Sequence, residues 1–242
     1  MKRVFPFLLV ALLTFPAFGC DSKNAVEDTQ GVKQDSVKAP KGVEKASAQE
    51  NESLGQKYYH GHGVKQDYAK AKELFEKAAN QGNARAQRFL GIMYLESQGV
   101  NRDYAKAHKY IEKAASQGDA RAQAILGLMY LDGKGVNQDD VKGKEWAEKG
   151  VAQGDARAQA ILGAMYLAGK GVNQDFVKAK ELLENAAKQG DVAAQGILGN
   201  MYSKGIGVKQ DYAKAKVLFR KLCDNGEQLA CDEYKKIENE GK

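Results

Sequence analysis

Along residues 156–167 the apolar positions Ala158, Leu162 and Tyr166 return at every fourth residue, with Ile161 and Met165 beside them. That spacing predicts a helix with one apolar side, here called an A helix. Gly169, Lys170 and Gly171 interrupt it. Asp175 then stands where a carboxylate can accept from the free backbone N–H groups of a new helix. A second apolar stripe follows, Ala179, Leu182, Leu183 and Ala186, which predicts a B helix ending at Gly190, with Asp191 placed to cap the next A helix. The loop aspartates recur at Asp67, Asp103, Asp139, Asp175 and Asp211, a period of 36 residues without slippage. A repeat of that length signals stacked helix pairs, because one pair cannot bury its apolar face alone. The pattern therefore predicts an all-α, right-handed α-solenoid. Five units span residues 48–227, starting at Ala48, Ala84, Ala120, Ala156 and Val192, and residues 228–242 form a C-terminal capping helix with a charged outer face.

The repeats serve as their own comparison. Gly55, Gly91, Gly127, Gly163 and Gly199 fall in the middle of every A helix, where glycine costs roughly 1 kcal/mol against alanine. Close approach of a partner helix explains them, with Ala71, Ala107, Gly143, Ala179 and Ala215 of the B helices as the other half of the contact. Leu54, Leu90, Leu126, Leu162 and Leu198, with Tyr58, Tyr94, Tyr130, Tyr166 and Tyr202 one turn on, read as core, and so does Trp146.

The chain starts MKRVFPFLLVALLTFPAFGC, a basic start and then a short apolar stretch, which reads as a secretory signal over residues 1–19 and not as a membrane span. Its end, Ala17-Phe18-Gly19-Cys20, resembles a bacterial lipobox, which implies a lipid on Cys20; small residues at 17 and 19 also fit plain cleavage after Gly19. Asp21 resembles the residue that retains enterobacterial lipoproteins at the inner membrane. Residues 20–47 read as a polar tether, within which GVKQDSVKAPKGVEKAS (31–47) echoes GVKQDYAKAKELFEKAA (63–79) as a decayed repeat. The chain has three cysteines. Cys223 and Cys231 take the places of an Ala in the last turn of a B helix and a Gln of the next A helix, so they face each other across the turn. In an exported protein that predicts a disulfide worth roughly 2–3 kcal/mol, leaving Cys20 for acylation.

The formal charge of +6 is mild, and Lys alternates with Glu along the B helices as on a solvated face. No basic run with interleaved aromatics points to nucleic acid. Catalytic motifs are absent: no G-x-S-x-G, P-loop, H-E-x-x-H, C-x-x-C or S-x-x-K. His60 and His62 flank Gly61 in the first loop, two ligands at most and read as loop residues. The sequence thus predicts no enzyme, no cofactor and no metal.

With LG-x-MY in helix A, a G-x-GV-x-QD loop, KA-x-x-x-x-EKAA in helix B and a QGD-A-x-AQ join, the pattern resembles the Sel1-like repeat, a relative of the tetratricopeptide repeat. The resemblance implies a scaffold that binds protein partners along its concave A-helix face. Carried over position by position, that face holds Arg85, Arg88, Ile92 and Leu95, then Arg121, Ala124, Leu128 and Leu131, then Arg157, Ala160, Ala164 and Leu167, and last Ala193, Gly196, Asn200 and Ser203. The expected groove is apolar with an arginine row on one edge, suited to a partner with apolar anchors and acidic flanks. Among exported relatives, the resemblance implies a lipid-anchored, periplasmic immunity protein that neutralises a type VI secreted phospholipase. An envelope regulatory or assembly adaptor is the alternative. A penicillin-binding protein or β-lactam hydrolase, as in the cysteine-rich relatives, is a second.

Overall fold

The computed structural model describes residues 47–239. The signal segment, Cys20, Asp21 and residues 20–46 of the tether lie outside them. Among the described residues there are eleven α-helices and no strand. The A helices are α1 (Ala48–His60), α3 (Ala84–Glu96), α5 (Ala120–Asp132), α7 (Ala156–Ala168) and α9 (Val192–Lys204). The B helices are α2 (Tyr68–Asn80), α4 (Tyr104–Ser116), α6 (Asp140–Ala152), α8 (Phe176–Lys188) and α10 (Tyr212–Asp224), and α11 (Gln228–Asn239) closes the stack. Consecutive helices pack as pairs, and the pairs stack into a solenoid.

Side-chain oxygens set where the first ten helices begin. Ser47, Asn83, Asp119, Asp155 and Asp191 accept the backbone N–H of the third residue of each A helix, and Asp67, Asp103, Asp139, Asp175 and Asp211 do so for each B helix. Ser47 also completes a capping box with Glu50. The A helices stop at left-handed residues, Gly61, Ser97, Gly133, Gly169 and Gly205; Ser97, at φ 60°, is the one non-glycine with positive φ among the described residues. Each B-helix aspartate is tied to the A helix before it. Its N–H donates to the carbonyl of Tyr58, Tyr94, Tyr130, Tyr166 or Tyr202. The lysine three residues on pairs with the aspartate and lies over the same tyrosine's ring, from Lys70 on Tyr58 to Lys214 on Tyr202. This frame makes every A–B loop alike.

Two further devices fix the packing. The A-helix glycines admit the B helix: a Cβ on Gly127 would lie 2.9 Å from the Gly143 carbonyl and 3.2 Å from the Ala147 amide, and one on Gly91 would meet the Ile111 side chain at 2.5 Å. Between repeats, a glutamine chain crosses the junction. Gln117, Gln153 and Gln189, at the ends of B helices, donate to Gln87, Gln123 and Gln159 at 2.6, 2.8 and 3.0 Å. Gln87, Gln123 and Gln195 donate in turn to the carbonyls of Ala79, Ala115 and Ala187 in the preceding B helix. At the last junction Cys231 stands in place of that glutamine and is joined to Cys223, so a disulfide replaces the side-chain hydrogen bond and holds α11, whose Ala230 and Ile237 complete the core.

Neighbouring A helices also pack on one another, α5 on α7 and α7 on α9, which the B helices do not do to that extent. Small residues allow it: Ala160 and Ala164 of α7 share a buried cluster with Ala193 and Ile197 of α9. The A helices thus form the inner side of the curve. α1, α3 and α5 are not drawn together in this way.

Candidate functional site

Where the A helices stand apart, the inner face opens into a pocket of about 190 Å³ lined by Tyr59, His60, Arg88, Phe89, Ile92, Arg121 and Asp155. Its apolar wall is an aromatic cluster. Phe89 stacks on Phe75 at 4.8 Å and meets the Tyr59 ring edge-on at 5.3 Å, and His60 lies 6.1 Å from Phe89. Tyr59 donates its hydroxyl to Gln98 of the next loop. Burial, with Glu96 nearby, pushes its phenol well above the usual tyrosine range.

The three arginines at this end differ in what they meet. Arg88 lies over Phe89 and is held by Asp119 at 3.1 Å. Arg157 is 4% exposed and pairs with Asp191 at 3.6 Å. Burial lowers its pKa, and the Asp191 carboxylate opposes that shift. Arg121 is in the register of Arg157, and Asp155 in the register of Asp191, yet Arg121 makes no ion pair or hydrogen bond among the described residues. It lines the pocket half-buried beside Asp155, with no carboxylate of the described residues within ion-pair distance. At the end of α3, Glu96 is likewise half-buried; burial raises its carboxyl to about 7, against the pull of Arg157. Among the described residues, the inner face therefore presents Arg121 unpaired beside an aromatic wall. A partner's carboxylate can supply the missing ion pair while an adjacent apolar side chain rests on the exposed parts of Leu128 and Leu95.

The residues expected along the groove separate by depth. Arg85 is exposed and within 3.6 Å of Glu52, while Arg88, Leu95, Arg121 and Leu128 are half-buried and reach the inner surface. Ile92, though buried, lines the pocket, while Leu131, Arg157 and Leu167 are buried in the core instead of along an open groove. So are Ala124, Ala160, Ala164, Ala193, Gly196 and Ser203. The close seam between A helices covers them. Tyr59, His60, Phe89, Asp155 and Glu96 were not among the expected site residues. Tyr59 is in the register of Leu95, Leu131 and Leu167, so extending that register to the first repeat finds it. His60 and Glu96 share the next position, where Asp132, Ala168 and Lys204 also fall.

A second depression, about 740 Å³, lies on the B-helix side between α8 and α10, floored by Leu198 and Tyr202. Its larger volume does not make it the better site, because Glu184, Asp211 and Lys214 on its rim are already paired. His60 and His62 stack at 5.2 Å, and among the described residues no group of three His, Cys, Asp or Glu is placed to hold a metal. No helix of the described residues is long and apolar enough to cross a membrane.

A family model described as the Sel1 repeat matches residues 53–83, 84–119, 120–155, 156–191 and 192–227. Among solved structures, c5321, a protective antigen present in uropathogenic Escherichia coli strains, is 37% identical over 80% of this chain with a TM-score of 0.60. The chain spans 42% of the length of that protein. A Sel1 repeat protein from Oxalobacter formigenes is 30% identical, over 78% of this chain and 75% of its own, with a TM-score of 0.66. The immunity protein Pa5087 from Pseudomonas aeruginosa shares the fold at 23% identity, over 81% of this chain and 70% of its own, with a TM-score of 0.50. No curated protein matches the chain.

Proposed function

Since the chain belongs to the Sel1 repeat family, whose members are protein-interaction scaffolds and typically non-catalytic, we propose that it holds a segment of a partner protein on the inner face of its A helices. The observation that carries this reading is Arg121, a half-buried arginine that makes no ion pair or hydrogen bond among the described residues and lines an aromatic-walled pocket. The partner segment presents an acidic residue to Arg121 and an apolar one to Leu128.

The scaffold is exported and lipid-anchored through Cys20, facing the periplasm, and its partner is a secreted phospholipase effector that it neutralises. The signal-like start, the odd cysteine left over by the Cys223–Cys231 bridge and the lack of catalytic motifs support this. Pa5087 shares the fold alone and supports only the fitness of this architecture for such a role.

The test is affinity capture from an envelope and secreted-protein extract, with the mature protein tethered through its N-terminus, beside Arg121→Glu and Leu128→Asp. One lipase-like effector retained by the parent and lost from both variants is the expected result. An envelope regulator with the same dependence on Arg121 replaces the effector by the adaptor reading. Equal retention by all three proteins contradicts inner-face binding.

A further inference from the structure

Among the described residues, one A helix lacks the cover that the other four have. Leu90, Leu126, Leu162 and Leu198 are 0, 0, 5 and 3% exposed, because the B helix of the preceding repeat lies on them; Leu54, in the same register on α1, is 41% exposed. The loops show the same gap. A Cβ on Gly99, Gly135, Gly171 or Gly207 would come within 2.5, 2.1, 2.7 and 2.5 Å of the first residue of the preceding B helix. Gly63, with the same positive φ, has nothing within 4 Å among the described residues.

The chain itself carries a segment in the right place to fill that gap. Residues 31–47 echo residues 63–79, which puts Asp35 in the register of the α2 cap Asp67, and Ala39, Val43 and Ala46 in the register of Ala71, Phe75 and Ala78. Those three α2 residues are the ones with no exposure at all. Lys38, Lys41 and Lys45 fall on the registers of Lys70, Glu73 and Lys77, which face solvent. We propose that residues 35–46 dock on α1 where a preceding B helix docks on α3, α5, α7 and α9, with the stripe of Ala39, Val43 and Ala46 against Leu54 and Tyr58.

Chain connectivity allows it. A B helix runs antiparallel to the A helix that follows, so the segment starts near Gly63 and ends at Ser47, where α1 begins. Twelve residues reach about 40 Å when extended, and α1 is about 20 Å long. Pro40 bars an unbroken helix from Ser36, and a spacing to the next unit of 32 residues instead of 36 removes the turn between helices. The segment keeps the apolar stripe of a B helix without its full length, and it closes the apolar end that a solenoid must cover to stay soluble and monomeric.

A double-mutant cycle on the whole mature chain tests this, with Val43→Asp and Leu54→Ser followed by thermal melting and sedimentation. Val43→Asp is expected to lower Tm by about 3 °C or more in the parent, and by less than about 1 °C once Leu54 is Ser. An unchanged Tm for Val43→Asp, or an equal drop in both backgrounds, overturns the proposal. So does a dimer that Leu54→Ser dissociates, since a second copy then occupies the face.

Discussion

The Oε1 of Gln195 is buried with no hydrogen-bond partner among the described residues, and the cause lies at the far end of its own repeat. In the three preceding junctions the corresponding glutamine accepts from a glutamine at the end of its own repeat's B helix, Gln117, Gln153 or Gln189. At the last of these ends the chain has Asn225, one methylene shorter, with nearly the same backbone angles. Asn225→Gln is expected to complete the chain and stabilise the fold by about 1 kcal/mol, read as a rise in Tm of roughly 2–4 °C. Glu96 gives a prediction of opposite character. Its folded pKa is raised to about 7, so between about pH 4.5 and pH 7 the folded state binds more protons than the unfolded state. Stability attributable to this group is complete below that window and is lost as pH rises through it. Glu96→Gln is expected to match the parent at pH 4.5 and to melt higher at pH 8, measured as Tm against pH. Neither residue's environment was legible in the sequence: the glutamine chain joins residues 30 apart, and Glu96 owes its burial to a curvature that no single repeat encodes.

At the scale of the helix, the periodicity and the caps were plain, because loop aspartates and glycines act locally and recur in register. What the repeat could not show is how closely one A helix lies on the next. Arg121 and Arg157 occupy the same position in nearly identical repeats, and the sequence reads them as one row. The structure separates them, since α7 is pressed between α5 and α9 and Arg157 is sealed against Asp191 while Arg121 looks into the pocket. Charge reversal should therefore give two outcomes. Arg157→Glu sets a carboxylate against Asp191 in the core and is expected to cost about 3–5 kcal/mol, seen as a large fall in Tm or as loss of soluble protein. Arg121→Glu is expected to stay within about 0.5 kcal/mol of the parent, measured by urea denaturation.

Over the whole molecule, five equal helix pairs make a scaffold whose two sides differ in kind. The outer B-helix side is covered by lysines and carboxylates that are largely paired within each repeat. The inner side is uniform and closed toward the C-terminus, where Ala160, Ala164 and Ala193 let the helices meet, and open toward the N-terminus, where Tyr59, Arg88 and Phe89 hold them apart. The architecture could be read from the 36-residue period alone, because a solenoid is set by neighbour contacts that repeat. The position of the opening could not, since it depends on differences between repeats and not on their consensus. The most direct test of inner-face binding is photo-crosslinking in the living cell, with a photoreactive residue placed at Leu128 or at the exposed outer residue Val141. Partner adducts at 128 and none at 141 are the predicted result; adducts at 141 with none at 128 would place the binding surface on the outer side and contradict it.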